Sequence, residues 1–349
     1  MVNAVKKRVL VTGGAGFIGS NFIRYLYQAY PAYEIYNLDL LTYAGNRENL
    51  KDIETLESTK RNRRYFFVKG DIRDPRLVSK LFQKYQFDYV VNFAAESHVD
   101  RSIEDDYHFI HTNLLGVHNI ITLIRKYSIP RFIHISTDEI YGDTLEGFSH
   151  EQSPIQPSNP YSASKAAADL LIQAYIRTHR LPILVVRGSN NFGPYQYPEK
   201  LIPLVITNLL ERKAIPVHGD GKQIRTWIHV NDFCNAVDRV MHRGKELKTY
   251  NASGIEMSNL EVIKLIGSIL NIDYNKYIRF VKDRPGGDRR YAPDATKIKT
   301  ELGWRLEFPI HKHLGGVVQW YVDNLDWWKK VKRKKDFKTY YKKQVRAEF

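Results

Sequence analysis

The first half of the chain alternates short, β-branched apolar runs with longer stretches whose apolar residues recur every three or four positions. That is the pattern of strands and helices taken in turn. Val9–Val11, Glu34–Leu38, Tyr65–Val68, Tyr89–Phe93, Arg131–Ser136 and Pro182–Arg187 predict strands. Gly19–Tyr30, Pro75–Tyr85, about 114–126 and Tyr161–His179 predict helices between them, with Pro160 suited to a first turn. Such alternation predicts an α/β fold: a Rossmann-type, doubly wound parallel sheet covered on both faces. Beyond about residue 190 the pattern loosens. Loops at 190–195 and 197–203 are followed by helices near 201–212, 230–243 and 258–270, interspersed with short strands. The expected division is a first domain over 1–190, to which later segments can return, a smaller lobe over 191–327, and a basic tail over 328–349.

With 349 residues, 43% hydrophobic and 26% charged, the chain has the balance of a soluble globular protein with a sizeable core. It holds no run of about 18 apolar residues, so no membrane span is expected. Met1–Arg8 leads into Val9–Thr12 without the apolar stretch of a signal peptide. Cys234 is the only cysteine, which excludes an internal disulfide and makes a cytoplasmic setting the expectation. It stands in an apolar-periodic stretch and is expected to be a packed core thiol; no metal site is expected.

The net charge of +15 is unevenly spread. Residues 328–349 carry ten Lys or Arg against Asp336 and Glu348, a net of +8, leaving +7 on the rest. The expectation for this tail is a solvated, partly disordered end, with Trp327-Trp328 and Tyr340-Tyr341 available as anchors. The alternative is an electrostatic contact with an acidic surface. Because the excess is confined to the tail, specific nucleic-acid binding is not expected.

Two motifs carry chemistry. Gly13-Gly-Ala-Gly16-Phe17-Ile18-Gly19 follows the first strand and opens a helix, so bare backbone can approach a pyrophosphate at the helix N-terminus. Asp39 ends the second strand, placed to accept hydrogen bonds from an adenosine ribose diol and to repel the extra phosphate of NADP. NAD is therefore the expected cofactor. Asp71-Ile72 after the third strand and Ala94, Ala95 and Ser97 after the fourth are expected to line it.

The second motif is Ser136-Thr137-Asp138-Glu139, at the carboxyl end of the fifth strand, with Tyr161 and Lys165 four apart on the next helix and thus on one face. A phenol has a pKa near ~10. Lys165 and the positive nicotinamide would lower it, letting Tyr161 take a hydroxyl proton while Thr137 bonds the same oxygen. Asp138 and Glu139 need a further role. Once a sugar C4 is a ketone its C5 proton is acidic; Glu139 suits the base that removes it, and a protonated Asp138 suits the acid that helps the C6 hydroxyl leave.

These residues identify a resemblance. The chain is similar to the extended short-chain dehydrogenases/reductases of the nucleotide-sugar type, and among them to the dTDP-glucose 4,6-dehydratase family. The match runs through Thr12–Ser20, Ala94–Ser102, Ser136–Gly142, Asn159–Ala167, Ser189–Pro203, His218–Arg225, Asp283–Gly286 and Asp288–Tyr291. The resemblance implies NAD-dependent dehydration of dTDP-glucose to a 4-keto-6-deoxy sugar, a step toward rhamnose or another deoxysugar, by a homodimer. It gives Thr137, Asp138, Glu139, Tyr161 and Lys165 the catalytic roles, and adds Thr42, Thr112 and Asn191 to the cofactor shell. It places Ser97, Thr137, Asn190, Lys200, Leu201, Pro216, Val217, His218, Arg225, Asn259 and Asp283-Arg284-Pro285-Gly286-Gly287 along the sugar nucleotide, with Arg225 as diphosphate clamp. The chain departs from the family at three positions: Gly287 and Phe233 stand where His is usual, and Thr226 follows Arg225 where Asp is common. Gly287 removes an imidazole from the nucleotide side, leaving thymine against uracil open.

Other readings differ in what they require. UDP-sugar 4-epimerases and UDP-glucuronate decarboxylases share the Tyr/Lys oxidation but need no acid–base pair to eliminate water, so Asp138-Glu139 argues against them. A UDP-glucose 4,6-dehydratase is the closer competitor. A regulatory Rossmann protein that senses NAD would have no use for the intact catalytic set.

Overall fold

The computed structural model describes residues 6–346. Met1–Val5, most of the stretch expected to lack a signal peptide, and Ala347–Phe349, the end of the basic tail, lie outside the described residues. Seven parallel strands form the main sheet: β1 (Lys7–Thr12), β2 (Tyr33–Asp39), β3 (Tyr65–Lys69), β4 (Tyr89–Asn92), β5 (Arg131–Thr137), β6 (Ile183–Gly188) and, from the second half of the chain, β10 (Thr249–Ala252). Their order is β10-β6-β5-β4-β1-β2-β3. The order reverses between β1 and β4, and in such sheets the crevice at the carboxyl ends of the strands beside the reversal takes the ligand.

Alternation along each strand builds a core on each face. Val9 and Val11 of β1, with Ile133 and Ile135 of β5, join Phe22, Ile23 and Leu26 of the helix Phe17–Ala29 and Phe233 and Val237 of the helix Val230–Arg243. Leu10 and Phe132 point the other way, onto Phe82 of Pro75–Tyr85, Ile120 and Ile124 of Val117–Lys126, and Ile172 of Pro160–His179. The helix Val230–Arg243 and β10 thus return to the first domain from beyond residue 190. Cys234 lies in that helix, 1% exposed, with burial raising its thiol pKa.

The smaller lobe holds two short sheets. One is β11 (Ile255–Ser258), β9 (Ile224–His229) and β7 (Asn190–Phe192), in that order; the other pairs β12 (Ile278–Val281) with β8 (Ile215–His218). Their core includes Ile206 of the helix Leu201–Leu210, Ile263 and Ile266 of Asn259–Leu270, and Leu314 and Tyr321 of Ile310–Asp323.

The basic tail differs from the expectation of a solvated, partly disordered end. It forms the helices Leu325–Arg333 and Lys335–Arg346. Trp327, Trp328, Val331, Phe337 and Tyr340 recur at helical spacing and are buried. The cations lie mainly on the opposite faces, so a strongly basic composition is compatible with a docked pair of helices. One cation is itself inside: Lys332 donates to Asn208 Oδ1 at 2.7 Å and to Glu211 Oε2 at 2.6 Å.

Candidate active site

The glycine loop is shaped by contacts that exclude side chains. Gly13 has φ +70°, and a Cβ there would lie 2.5 Å from Ala94 N; one on Gly19 would lie 2.3 Å from the Gly13 carbonyl oxygen. The helix that follows is capped at Gly16 by no side chain and carries no acidic residue in its first turn, leaving N–H donors for an anion. Asp39 at the end of β2 is buried; its Oδ1 accepts from Leu41 N at 2.7 Å and its Oδ2 from Ala15 N at 2.9 Å. Burial raises its pKa, while those two N–H donors oppose the shift.

The reacting groups come from β5 and the helix Pro160–His179. Beyond β5 the chain closes into a 3₁₀ turn, Asp138–Tyr141, with Thr137 Oγ1 accepting from Glu139 N at 3.3 Å. The helix starts on a capping box: Asn159 Oδ1 accepts from Ser162 N at 3.0 Å, and Ser162 Oγ lies 3.2 Å from Asn159 N. This fixes the first turn, and with it Tyr161, whose own N–H donates to Ser102 Oγ at 3.1 Å. Lys165 Nζ donates to the Ile135 carbonyl at 2.6 Å.

Burial dominates the electrostatics. Asp138 is 2% exposed, and burial with the neighbouring Glu139 charge pushes its pKa up to about 8. Glu139 is also raised by burial, against the pull of Lys200, Arg225 and Arg284. Tyr161 is raised by burial and by the Glu139 charge, opposed by a hydrogen bond from Thr137. Burial lowers Lys165 to about 8. In the protein alone burial outweighs Lys165, whose amine is committed to a backbone carbonyl; the expected lowering of the phenol pKa draws on the positive nicotinamide as well. Both carboxyls are raised, Asp138 far enough to hold a proton at neutral pH, as the acid of an acid–base pair must.

Two cavities meet at these groups. The first, about 770 Å³, is lined by every residue expected around the cofactor, Gly13, Gly16–Gly19, Asp39, Thr42, Asp71, Ile72, Ala94, Ala95, Ser97, Thr112, Tyr161, Lys165 and Asn191, and by the catalytic candidates Thr137–Glu139. The second, about 170 Å³, is lined by Asn190, Lys200, Leu201, Pro216–His218, Arg225, Asn259, Asp283, Arg284, Gly286 and Gly287. Glu139, Asn190, Asn191, Gln196, Glu199 and Lys200 line both. Of the expected set only Pro285 lines neither, and Ser97 and Thr137 belong to the first cavity alone. Ser97 reaches the junction through its carbonyl, which accepts from Lys200 Nζ at 2.8 Å. Arg225 is held by carbonyls, its Nη1 2.8 Å from Ile224 O and its Nη2 2.9 Å from Asp288 O, with its guanidinium 4.3 Å over the Tyr291 ring.

Several lining residues were not expected. Glu199 is buried beside Lys200 and accepts from Arg101 Nη2 at 3.3 Å. His98 and Gln344 line the second cavity, Gln344 from the basic tail. For His98 and Arg101 the signal was the run Ala94–Ser102; for Gln344 the sequence holds none, because only the return of the tail brings it there.

The sequence profile of the GDP-mannose 4,6-dehydratase family matches residues 10–314. A dTDP-glucose 4,6-dehydratase of Xanthomonas campestris pv. campestris is 46% identical over 337 residues, covering 91% of this chain and 94% of the relative. Among solved structures, a dTDP-glucose 4,6-dehydratase from Streptomyces venezuelae with NAD bound superposes with a TM-score of 0.88 at 43% identity, covering 93% of this chain and 99% of that one. A UDP-glucose 4-epimerase from Thermotoga maritima gives a TM-score of 0.83 at 26% identity, covering 91% of this chain and 99% of that one.

Proposed function

The chain belongs to the GDP-mannose 4,6-dehydratase family and, within it, to the dTDP-glucose 4,6-dehydratases; from that premise we propose how it dehydrates dTDP-glucose to the 4-keto-6-deoxy sugar. It is a hydro-lyase that uses NAD, in the making of deoxysugars. The observation that carries the reading is the raised, buried pair Asp138–Glu139 in the wall of the first cavity, with Glu139 also lining the second, beside Tyr161 and Thr137.

The first cavity fits NAD on its own terms. Its glycine cradle is one that added Cβ atoms would fill, its helix N-terminus is uncapped, and buried Ser189 Oγ and Asn191 Oδ1 have no protein partner. Gly13–Gly19 would hold the pyrophosphate and Asp39 the adenosine ribose, with Asp71 and Ile72 near the base. Bound there, NAD supplies a hydride acceptor for C4 and a donor for C6.

The chain's own groups handle the protons. With the positive charge of a bound nicotinamide beside it, Tyr161 would be a phenolate whose Oη takes the proton of the C4 hydroxyl, and Thr137 Oγ1 steadies that oxygen. Glu139 removes the C5 proton, protonated Asp138 gives its proton to the C6 hydroxyl, which leaves as water, and a proton returns to C5 from Glu139 as C6 is reduced. Arg225, Arg284 and Lys200 supply positive charge for the diphosphate and hold down the Glu139 pKa. The cofactor would be held mostly by residues 1–190, with Asn191 and Phe233 from beyond, and the substrate mostly by 191–327.

Tyr107, Ile110 and Leu115, with Leu170 of the helix Pro160–His179, are exposed apolar side chains on adjoining helical segments. They support a homodimer formed through that face. The lone buried Cys234 supports a cytoplasmic setting, and among the described residues no helix is long and apolar enough to cross a membrane.

The test is incubation of the purified protein with dTDP-glucose and, separately, UDP-glucose, followed by mass spectrometry. Loss of one water from dTDP-glucose is expected. Loss from UDP-glucose alone would move the reading to the uridine nucleotide, and loss from neither would overturn it.

A further inference from the structure

The C-terminal helix Lys335–Arg346 packs against β8 and β12 and brings Gln344 into the wall of the second cavity. Gln344 is 4% exposed, and its Oε1 has no hydrogen-bond partner in the protein. Its Nε2 donates to the hydroxyl of Tyr340, one turn earlier. The orientation of the amide follows from that hydroxyl. Tyr340 gives its single proton to Asp100 Oδ2 at 2.6 Å, and Asp100 is held as a carboxylate by Arg284, whose Nε lies 3.1 Å from Asp100 Oδ1. The Tyr340 oxygen can then only accept, so the amide presents N–H to it and its carbonyl is left over.

The same logic applies to two neighbours. His98 Nε2, 3.1 Å from the Tyr340 hydroxyl, must donate to it, which leaves His98 Nδ1 an acceptor without a partner. His218 Nδ1 lies 3.3 Å from the Lys282 carbonyl and donates to it, so His218 Nε2 is also an unpartnered acceptor. The second cavity thus collects these three unpartnered acceptors, beside Asn190 Oδ1, Asn191 Oδ1 and Gln196 Oε1 at its junction with the first. Buried polar groups are matched in the working state, so a wall of this kind calls for a ligand that brings hydroxyl or N–H donors.

The position in the cavity says which part of the ligand that is. The junction at Glu139 and Asn190 takes the reacting sugar, and Arg225 and Arg284 take the diphosphate. His218 and Gln344 belong to the set that lines only the second cavity, where the nucleoside with its hydroxyl and imide N–H donors remains to be placed. We propose that Gln344 is a substrate-binding residue: its amide carbonyl accepts a hydrogen bond from the nucleoside of the sugar nucleotide, and Tyr340 is the positioning residue that turns the carbonyl toward it. The basic tail is then a wall of the substrate site as well as a docked end. This rests on the nucleotide-sugar reading above but not on the dehydration.

The experiment is calorimetric titration of the purified, NAD-loaded protein with dTDP and with UDP. Gln344→Ala is expected to weaken dTDP binding by about tenfold, the loss of one hydrogen bond to a buried acceptor site, with NAD content and thermal midpoint kept. Gln344→Met keeps the length of the side chain and should show the same loss, so it serves if the alanine variant folds poorly. Tyr340→Phe should weaken binding in the same direction, with KM rising more than kcat falls. Binding of dTDP by either Gln344 variant within twofold of the unmodified protein would overturn the proposal, as would failure of that protein to bind either nucleotide. A protein that binds dTDP through Gln344 yet dehydrates no sugar nucleotide would overturn the dehydratase reading and leave this inference standing.

Discussion

Arg187 Nε lies 2.9 Å from Asp169 Oδ2, with both side chains 1% exposed. The pair joins β6 to the helix that carries Tyr161 and Lys165. Arg187 Nη1 also donates to the Tyr141 hydroxyl at 2.7 Å, and that hydroxyl donates to Asn251 Oδ1 at 2.8 Å. Tyr141 ends the turn that begins at Asp138. One guanidinium therefore fixes the distance between the carboxyl pair and the phenol, from beneath the site. Removing one partner leaves an uncompensated charge in the core: Asp169→Ala should cost about 3–5 kcal/mol. The double variant Asp169→Leu/Arg187→Met should be less destabilised than Asp169→Ala alone. Urea unfolding of the three proteins decides it, and a single variant within about 1 kcal/mol of the unmodified chain would show that the pair is not the anchor.

Gly19→Ala tests the cofactor cradle. The added methyl would lie 2.3 Å from the Gly13 carbonyl oxygen and 2.8 Å from Gly14 Cα, so the loop must open. The expected result is loss of most bound NAD, read from the nucleotide released on denaturation, with some loss of unfolding free energy because the clash is with buried backbone. Retention of stoichiometric NAD would remove the glycine loop from the binding scheme.

The tail makes a claim about stability. Trp328 is fully buried, and its indole N–H donates to the Tyr321 carbonyl at 2.8 Å. Trp328→Ala should cost about 3–5 kcal/mol in chemical unfolding, the usual range for emptying a site of that size. Lys329→Ala, on a residue outside the core, should leave stability within about 0.5 kcal/mol. Equal effects from the two would mean that the helix does not dock through its apolar face.

The parts legible in the sequence are those governed by local chemistry. Short, near-continuous apolar runs such as Val9–Val11 and Phe132–Ile135 marked strands buried on both faces, and the glycine spacing marked the turn into the first helix. The carboxyl pair was legible because it ends a strand whose end must face the crevice. What was not legible depends on distant segments meeting. Nothing near Thr249–Ala252 says that it will pair with β6. The lysines of the tail outweigh, in composition, the apolar stripe that decides its fate. Gln344 reaches the cavity only because Trp328, Phe337 and Tyr340 find their seats. The partner of the Lys165 amine is illegible for a related reason: spacing puts Lys165 beside Tyr161 on one helix face, but the Ile135 carbonyl that takes the amine comes from β5.

Asp138 offers a test in which stability and activity move in linked ways. Burial and the Glu139 charge raise its pKa to about 8, from an unfolded value near ~4. Between those values the folded chain keeps a proton that the unfolded chain releases. Stability from this group is therefore lost as pH rises through that window. Asp138→Asn should flatten that dependence in urea unfolding between pH 5 and pH 8, values chosen to lie inside the roughly 4–8 window, because the amide has no proton to release. The same variant should slow water elimination by about 10²–10⁴-fold, the range for loss of a positioned acid, while C4 oxidation is slowed less. Glu139→Gln removes the second cause of the raised value, so the Asp138 transition should move to lower pH. The alkaline fall of the residual elimination rate should move with it. A transition that stays put in Glu139→Gln would show that burial alone sets the Asp138 pKa. Full elimination by Asp138→Asn would assign the acid to another group.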